Sequence, residues 1–227
     1  MTDTIEMKII GRIRTEFPTK FGIPRQSGVV KELKGRIVFE PEYRNEDALR
    51  GIEGFSYLWL IWQFSENVRE GWSPTVRPPI LGGNTRVGVF ATRSPFRPNS
   101  IGLSSVKLEK VELDSHDGPV LIVSGADLMD GTPIFDIKPY IPYADSHPEA
   151  TEGFRSGGWN RMLEVEFPPE LFEKVPENQR EALLGVLQND PRPSYHHDPE
   201  RVYGFPFGEM EIKFSVDEKC LRVLDIL

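Results

Sequence analysis

The chain reads as mainly β: an N-terminal single-sheet β-barrel followed by a small C-terminal α+β domain. Three observations predict this. Seven strand-like segments precede Ile141, with one short helical stretch among them. The strand–helix alternation of a doubly wound domain is missing. Near residues 145–158 (DSHPEATEGFRSGG) the chain turns polar and Gly-rich, which divides it into residues 1–147 and 158–227.

Taken in order, residues 7–14 (MKIIGRIR) mix β-branched residues with charge and predict a first strand. A loop with Phe21, Pro24 and Arg25 follows, then a strand over 36–40 (RIVFE). Residues 45–55 predict a short helix, with Asn45 as N-cap and Gly54 near its end. Residues 57–64 (YLWLIWQF) are too short for a buried helix and rich in strand formers, so they predict a central strand. Residues 71–84 (GWSPTVRPPILGGN) hold three prolines and three glycines and cannot be regular. Strands are expected over 86–91, 101–113, 120–126 and 133–141, with the Asp130–Gly131 turn before the last. The second unit predicts a strand over 162–167, a helix over about 177–189, and strands near 202–207, 209–216 and 220–226.

Composition narrows the function classes. With 38% hydrophobic and 27% charged residues, the 227-residue chain is an ordinary globular protein. It has no run of 18 apolar residues, so no membrane span is expected. Its start, MTDTIEMKII, lacks the basic patch and apolar stretch of a secretory signal. Cys220 is the only cysteine, so no internal disulfide can form, which fits a reducing, cytoplasmic setting. A small apolar residue in a C-terminal strand explains Cys220 better than a nucleophile does. The histidines are His116, His147, His196 and His197, and no metal site is expected from them. The net charge of −8 argues at first against nucleic acid, but it is unevenly spread. Residues 69–110 hold seven basic and two acidic side chains, whereas 111–227 hold ten basic and 23 acidic. A local basic zone binds phosphates even on an acidic molecule, because exposed charges are screened beyond about 8–10 Å.

No GxSxG, P-loop or GxGxxG motif is present. The informative stretch is 87–103, VGVFATRSPFRPNSIGL. Arg93 and Arg97 sit four residues apart, Pro98 stiffens the chain after them, and Asn99 can close a turn. An arginine fork suits a phosphate or carboxylate. It equally suits a loop pinned through its own backbone carbonyls.

Residues 91–99 (ATRSPFRPN) resemble the signature of the TsaA-like family of tRNA adenine-N6 methyltransferases. Other blocks agree: Pro24–Arg25–Gln26 in FGIPRQSG, RGIEGFSYLW at 50–59, the 71–84 loop, and DGTPIFDIKP at 130–139. QNDPRPSY at 188–195 is similar to the C-terminal domain of the long bacterial members. The resemblance implies a single-sheet barrel that uses S-adenosylmethionine to methylate N6 of the adenosine 3′ of the anticodon, in a tRNA bearing threonylcarbamoyl there. It also implies a homodimer with the cofactor near the subunit interface.

By this resemblance Pro24, Arg25, Gln26, Arg93, Leu103 and Asp130, Gly131, Thr132 and Pro133 line the cofactor site, with Arg93 meeting the methionine carboxylate. Many relatives carry His-Gln after the aromatic strand where this chain has Ser65–Glu66, two residues that can still exchange hydrogen bonds with the cofactor. An acceptor for the N6 proton would aid attack on the methyl group, and Asp136 and Asn99 are candidates by chemistry. RNA contacts are expected at Arg77, Arg86 and Arg97, and at Arg192 and Tyr195, which suggest a phosphate contact and a stacking surface. A barrel that binds S-adenosylmethionine or RNA without chemistry is the alternative.

Overall fold

Alternating burial along the strands fixes which face of each turns inward. The computed structural model describes residues 4–68, 71–155, 162–192, 198 and 200–227. In chain order the strands of the first unit are β1 (Gly11–Arg14), β2 (Lys34–Phe39), β3 (Tyr57–Gln63), β4 (Thr75–Val76), β5 (Val87–Gly88), β6 (Ile101–Glu112), β7 (Val120–Ser124) and β8 (Pro133–Pro139). Six of them close into an antiparallel barrel in the order β1-β2-β7-β6-β3-β8. The aromatic run does form a central strand, flanked by β6 and β8. Its inward residues Leu58, Leu60 and Trp62 meet Ile13, Ile37, Val106, Leu121, Val123 and Ile134, so side chains fill the barrel as expected of one this small.

Two local expectations are corrected. Residues 45–55 form no α-helix but two 3-10 turns, Glu46–Leu49 and Ile52–Gly54. Asn45 does cap, accepting from the Asp47 amide at 3.0 Å, yet Gly51 at φ 87° breaks the run and only Leu49 is buried. Residues 86–91 are not a barrel strand. Only Val87–Gly88 is extended, paired with Thr75–Val76 in a small separate hairpin. The rest is a 3-10 turn, closed where the Thr92 amide and hydroxyl both donate to the Val89 carbonyl, at 3.1 and 2.8 Å.

The second unit is a four-stranded sheet, β10-β11-β12-β9, built from β9 (Glu164–Glu166), β10 (Tyr203–Phe207), β11 (Met210–Asp217) and β12 (Cys220–Ile226). Helix α3 (Glu177–Gln188) buries Ala182, Leu183, Val186 and Leu187 in the core with this sheet. Two one-turn helices, α1 (Pro142–Asp145) and α2 (Pro169–Phe172), carry no helical periodicity and were not expected. No helix among the described residues is long and apolar enough to cross a membrane.

Strand direction places the long loops. In an antiparallel barrel successive connections leave alternate rims. The β1–β2 loop (15–33), the β3–β6 connection (64–100) and the β7–β8 turn (125–132) therefore emerge together at one end. The 15–33 loop also belongs to the second unit. Its Phe17, Val30 and Leu33 are at most 2% exposed and pack into the core of the four-stranded sheet. Phe17 meets Phe207 edge to face at 5.5 Å. Gly22 lies so close to Phe205 that a Cβ would come within 2.4 Å of its ring.

Candidate functional site

At the loop-bearing rim the 15–33 loop arches over residues 125–130. The Gly28 amide donates to Gly125 O at 2.9 Å, and the Asp130 amide to Phe17 O at 2.8 Å. The Thr15 hydroxyl donates to Leu128 O at 3.0 Å. Beneath the arch is a cavity of about 460 Å3, within the 300–1,000 Å3 typical of small-molecule sites. Its walls include Ile23, Pro24, Trp62, Leu103, Leu128 and Met129.

Of the residues expected at a cofactor site, the cavity gathers Pro24, Arg25, Gln26, Ser65, Glu66, Arg93, Leu103 and Thr132. Arg93 donates to the Gln26 side-chain oxygen, joining the 64–100 and 15–33 loops. Burial works against the Arg25 charge, which Asp190 supports and Arg155 opposes. The Arg25 guanidinium also donates to Arg192 O at 3.3 Å. Asp130, Gly131 and Pro133 lie beside the cavity rather than lining it. The Asp130 carboxylate accepts from the Thr15 amide at 3.0 Å and pairs with Arg14 at 3.4 Å, and Gly131 O accepts from Arg12 at 3.1 Å. Those bonds hold the β7–β8 turn against β1. Leu103 is 54% exposed, on the outer face of β6 at the cavity mouth.

A buried polar relay forms the floor, and the sequence reading did not anticipate it. Trp62 Nε1 donates to Ser104 Oγ at 3.0 Å, and Ser104 Oγ donates to Asp127 Oδ1 at 2.6 Å. An indole nitrogen can only donate, which fixes the first bond, and an ionised carboxylate can only accept, so the serine proton goes to Asp127 when that group is charged. Gly102 makes the relay possible. It sits across from Trp62, and a Cβ there would be 2.2–2.6 Å from the indole ring. Burial pushes the Asp127 carboxyl above the usual carboxylate range. Hydrogen bonds from Ser104, from its own amide and from Ser27, and the charge of Arg93, pull it partly back. The signals were present in the sequence: one acid inside the apolar run VLIVSGADLM, and a serine at an inward position of β6.

The cavity opens into a broad groove of about 1840 Å3, the two sharing Arg25, Gln26, Arg93 and Arg97. The groove is lined by Arg77, Arg86, Arg97 and Arg155, with Glu152 the one acidic side chain among its described lining residues. Trp72 and Phe90 stack on it at 6.0 Å while 52% and 70% exposed. Arg97 pins its own loop, donating to Thr92 O at 2.8 Å, with its guanidinium 6.0 Å from the Phe90 ring. Arg86 donates to the Thr75 hydroxyl at 2.9 Å. Arg192 is held within its turn, bidentate to Asp190 at 2.8 Å for each bond, where Asp190 takes a left-handed φ of 51°. Tyr195, His196 and His197 lie outside the described residues. Among those described, no group of three potential metal ligands gathers. Asp136 sits on β8, half-exposed and paired with Lys138 at 2.9 Å, away from the cavity. Asn99 is exposed along the groove.

Comparisons with known proteins cover the whole chain. The tRNA-methyltransferase O N-terminal domain matches residues 12–146, and the TrmO C-terminal domain matches residues 160–227. The tRNA (adenine(37)-N6)-methyltransferase of Escherichia coli K12 is 38% identical, covering 97% of this chain and 97% of its own. A Pseudomonas aeruginosa relative named for S-adenosylmethionine-dependent methyl transfer is 37% identical over 96% of this chain and 95% of its own. A crystal structure of TrmO from P. aeruginosa aligns with a TM-score of 0.81 at 33% identity, covering 100% of this chain and 98% of that one. With both units matched and nearly every residue aligned, the chain belongs to the tRNA-methyltransferase O family.

Proposed function

We propose that this protein is an S-adenosylmethionine-dependent methyltransferase that modifies N6 of adenosine 37 in a tRNA already bearing threonylcarbamoyl at that base. The observation that supports it best is the junction of two spaces: a basic, aromatic groove opening through Arg25, Gln26 and Arg93 into a cavity with a carboxylate floor. Groove arginines suit phosphates, the exposed Trp72–Phe90 pair suits an unstacked base, and the cavity suits a small zwitterion.

The cavity fits S-adenosylmethionine chemically. Arg93 and Arg25 match its carboxylate, and Trp62, Ile23 and Leu128 match apolar surface. When bound, the cofactor supplies an activated methyl group on a sulfonium. The protein's part is to position and desolvate, which accounts for much of the barrier in such transfers. Residues 1–147 hold the cofactor in this reading and 158–227 help to seat the RNA, the shared 15–33 loop linking them. The protein acts as a homodimer in a reducing cytoplasm.

The test is incubation with labelled S-adenosylmethionine and bulk tRNA, followed by nucleoside mass spectrometry. N6-methylated threonylcarbamoyladenosine is expected. Cofactor binding without any methylated nucleoside would overturn the reading in favour of a binding module. Light scattering of the purified protein tests the dimer.

A further inference from the structure

Methyl transfer to an adenine N6 leaves a proton to be removed. The nitrogen lone pair forms the new bond to carbon, the carbon–sulfur pair leaves with the neutral thioether, and the N6–H pair must stay on nitrogen. A group able to take that proton must face the cavity, carry a free lone pair and hold protons more tightly than an ordinary surface carboxylate.

We propose that Asp127 is this acceptor, a catalytic residue of the reaction proposed above, on which the assignment rests. Among the described residues the cavity has two carboxylates, Asp127 and Glu66, and Glu66 is exposed at the rim. Asp136 is paired with Lys138 on the outer surface, and Asn99 stands in the groove outside the cavity. Asp127 is aimed by its surroundings. The Trp62–Ser104 relay sends its one available proton to Oδ1. That bond uses one of the roughly four acceptor positions of a carboxylate, which leaves capacity for a substrate proton.

The charged groups facing Asp127 are few. Arg93 comes from the 64–100 connection, and Arg25, Lys20, Arg97 and Glu66 line the same cavity. Burial outweighs them and raises the proton affinity of the carboxyl, as suits a base. A raised pKa sets the sign of the pH effect. The base works when deprotonated, so turnover is full above its pKa and falls as pH drops through it.

The experiment compares wild type, Asp127→Asn and Ser104→Ala. Three readouts are taken: single-turnover methylation of threonylcarbamoyl-bearing tRNA across pH, calorimetric affinity for S-adenosylmethionine, and titration of 13C-carboxyl-labelled aspartate. Asp127→Asn is expected to lose at least about 100-fold in rate, with cofactor affinity within about threefold. Ser104→Ala keeps the carboxylate but removes a hydrogen bond to its charged form. It is expected to move both the Asp127 resonance titration and the acid limb of the rate profile to higher pH, which holds even if the asparagine variant folds poorly. A rate within threefold of wild type for Asp127→Asn would overturn the assignment while leaving the methyltransferase reading intact. So would lost cofactor affinity with normal turnover at saturation, which would make Asp127 a cofactor anchor. A wild type that binds cofactor yet methylates no tRNA would overturn both.

Discussion

A single methyl group at Gly102 tests whether the cavity floor is built as described. Gly102→Ala places a Cβ 2.2–2.6 Å from three indole atoms of Trp62, a side chain 8% exposed with the barrel core behind it. The ring cannot tip outward freely, so either it shifts or β6 moves away from β3. Overpacking of this kind costs about 1–3 kcal/mol. If the indole shifts far enough to lose Ser104, an unsatisfied buried N–H adds about 1–3 kcal/mol. For a chain of this size the sum, about 2–6 kcal/mol, corresponds to a Tm lowered by roughly 4–24 °C. Thermal and urea unfolding measure it. Trp62→Phe is the control, since phenylalanine lacks the fused-ring atoms that the new methyl meets. In that background Gly102→Ala should cost at least about 1 kcal/mol less than in wild type. A Tm change under 2 °C for Gly102→Ala alone would refute the close-packed floor.

Other expectations follow from the same geometry. Arg93→Ala should weaken calorimetric S-adenosylmethionine affinity by about 1.5–3 kcal/mol, the range for a hydrogen bond to a charged group, and an unchanged affinity would remove Arg93 from the cofactor site. Phe17→Ala should destabilise by about 3–5 kcal/mol, in line with large core truncations, and should lower the melting of both units together. Independent melting of the barrel at its wild-type temperature would show that the loop does not couple them. Replacing Arg77 and Arg86 together by alanine should reduce the salt dependence of tRNA binding by about 1–2 in log–log slope while sparing cofactor affinity. An unchanged slope would place the RNA elsewhere.

How much of this was legible in the sequence depends on what each residue's signal is local to. The barrel strands were, because 57–64 is a short run of strand formers and alternation in 101–113 is itself the pattern of an inward and an outward face. The 3-10 turns at 46–54 were not. Asn45 caps as a helix start would, and only the left-handed backbone at Gly51 stops the run. The segment 86–91 has strand-forming residues but no partner beyond Thr75–Val76. Pairing is a tertiary fact that propensity does not carry. At the site, long motif blocks marked the loops that meet at the rim. Asp127 escaped notice because its meaning comes from Ser104 and Trp62, both far from it in sequence. The pairing of the Arg192 fork with Asp190, two residues away, is likewise a contact that the motif QNDPRPSY does not announce.

The position of the cavity explains why two units are needed. The barrel lumen is filled by its own side chains, so it provides a rigid rim rather than a container. The cavity is completed by the 15–33 loop, whose near side carries Pro24, Arg25 and Gln26 and whose ends bury Phe17, Val30 and Leu33 in the other unit's core. Arg25 reaches Arg192 O in the turn after α3, so movement of that turn bears directly on a guanidinium in the cavity wall. Whatever engages the second unit therefore acts on the cavity through one loop. A barrel cut at residue 147 would leave those three apolar side chains in water, and the arch over Asp127 would lose the packing that holds it closed. Such a fragment should bind S-adenosylmethionine at least tenfold more weakly than the full chain. Equal affinity would mean that the barrel alone orders the arch.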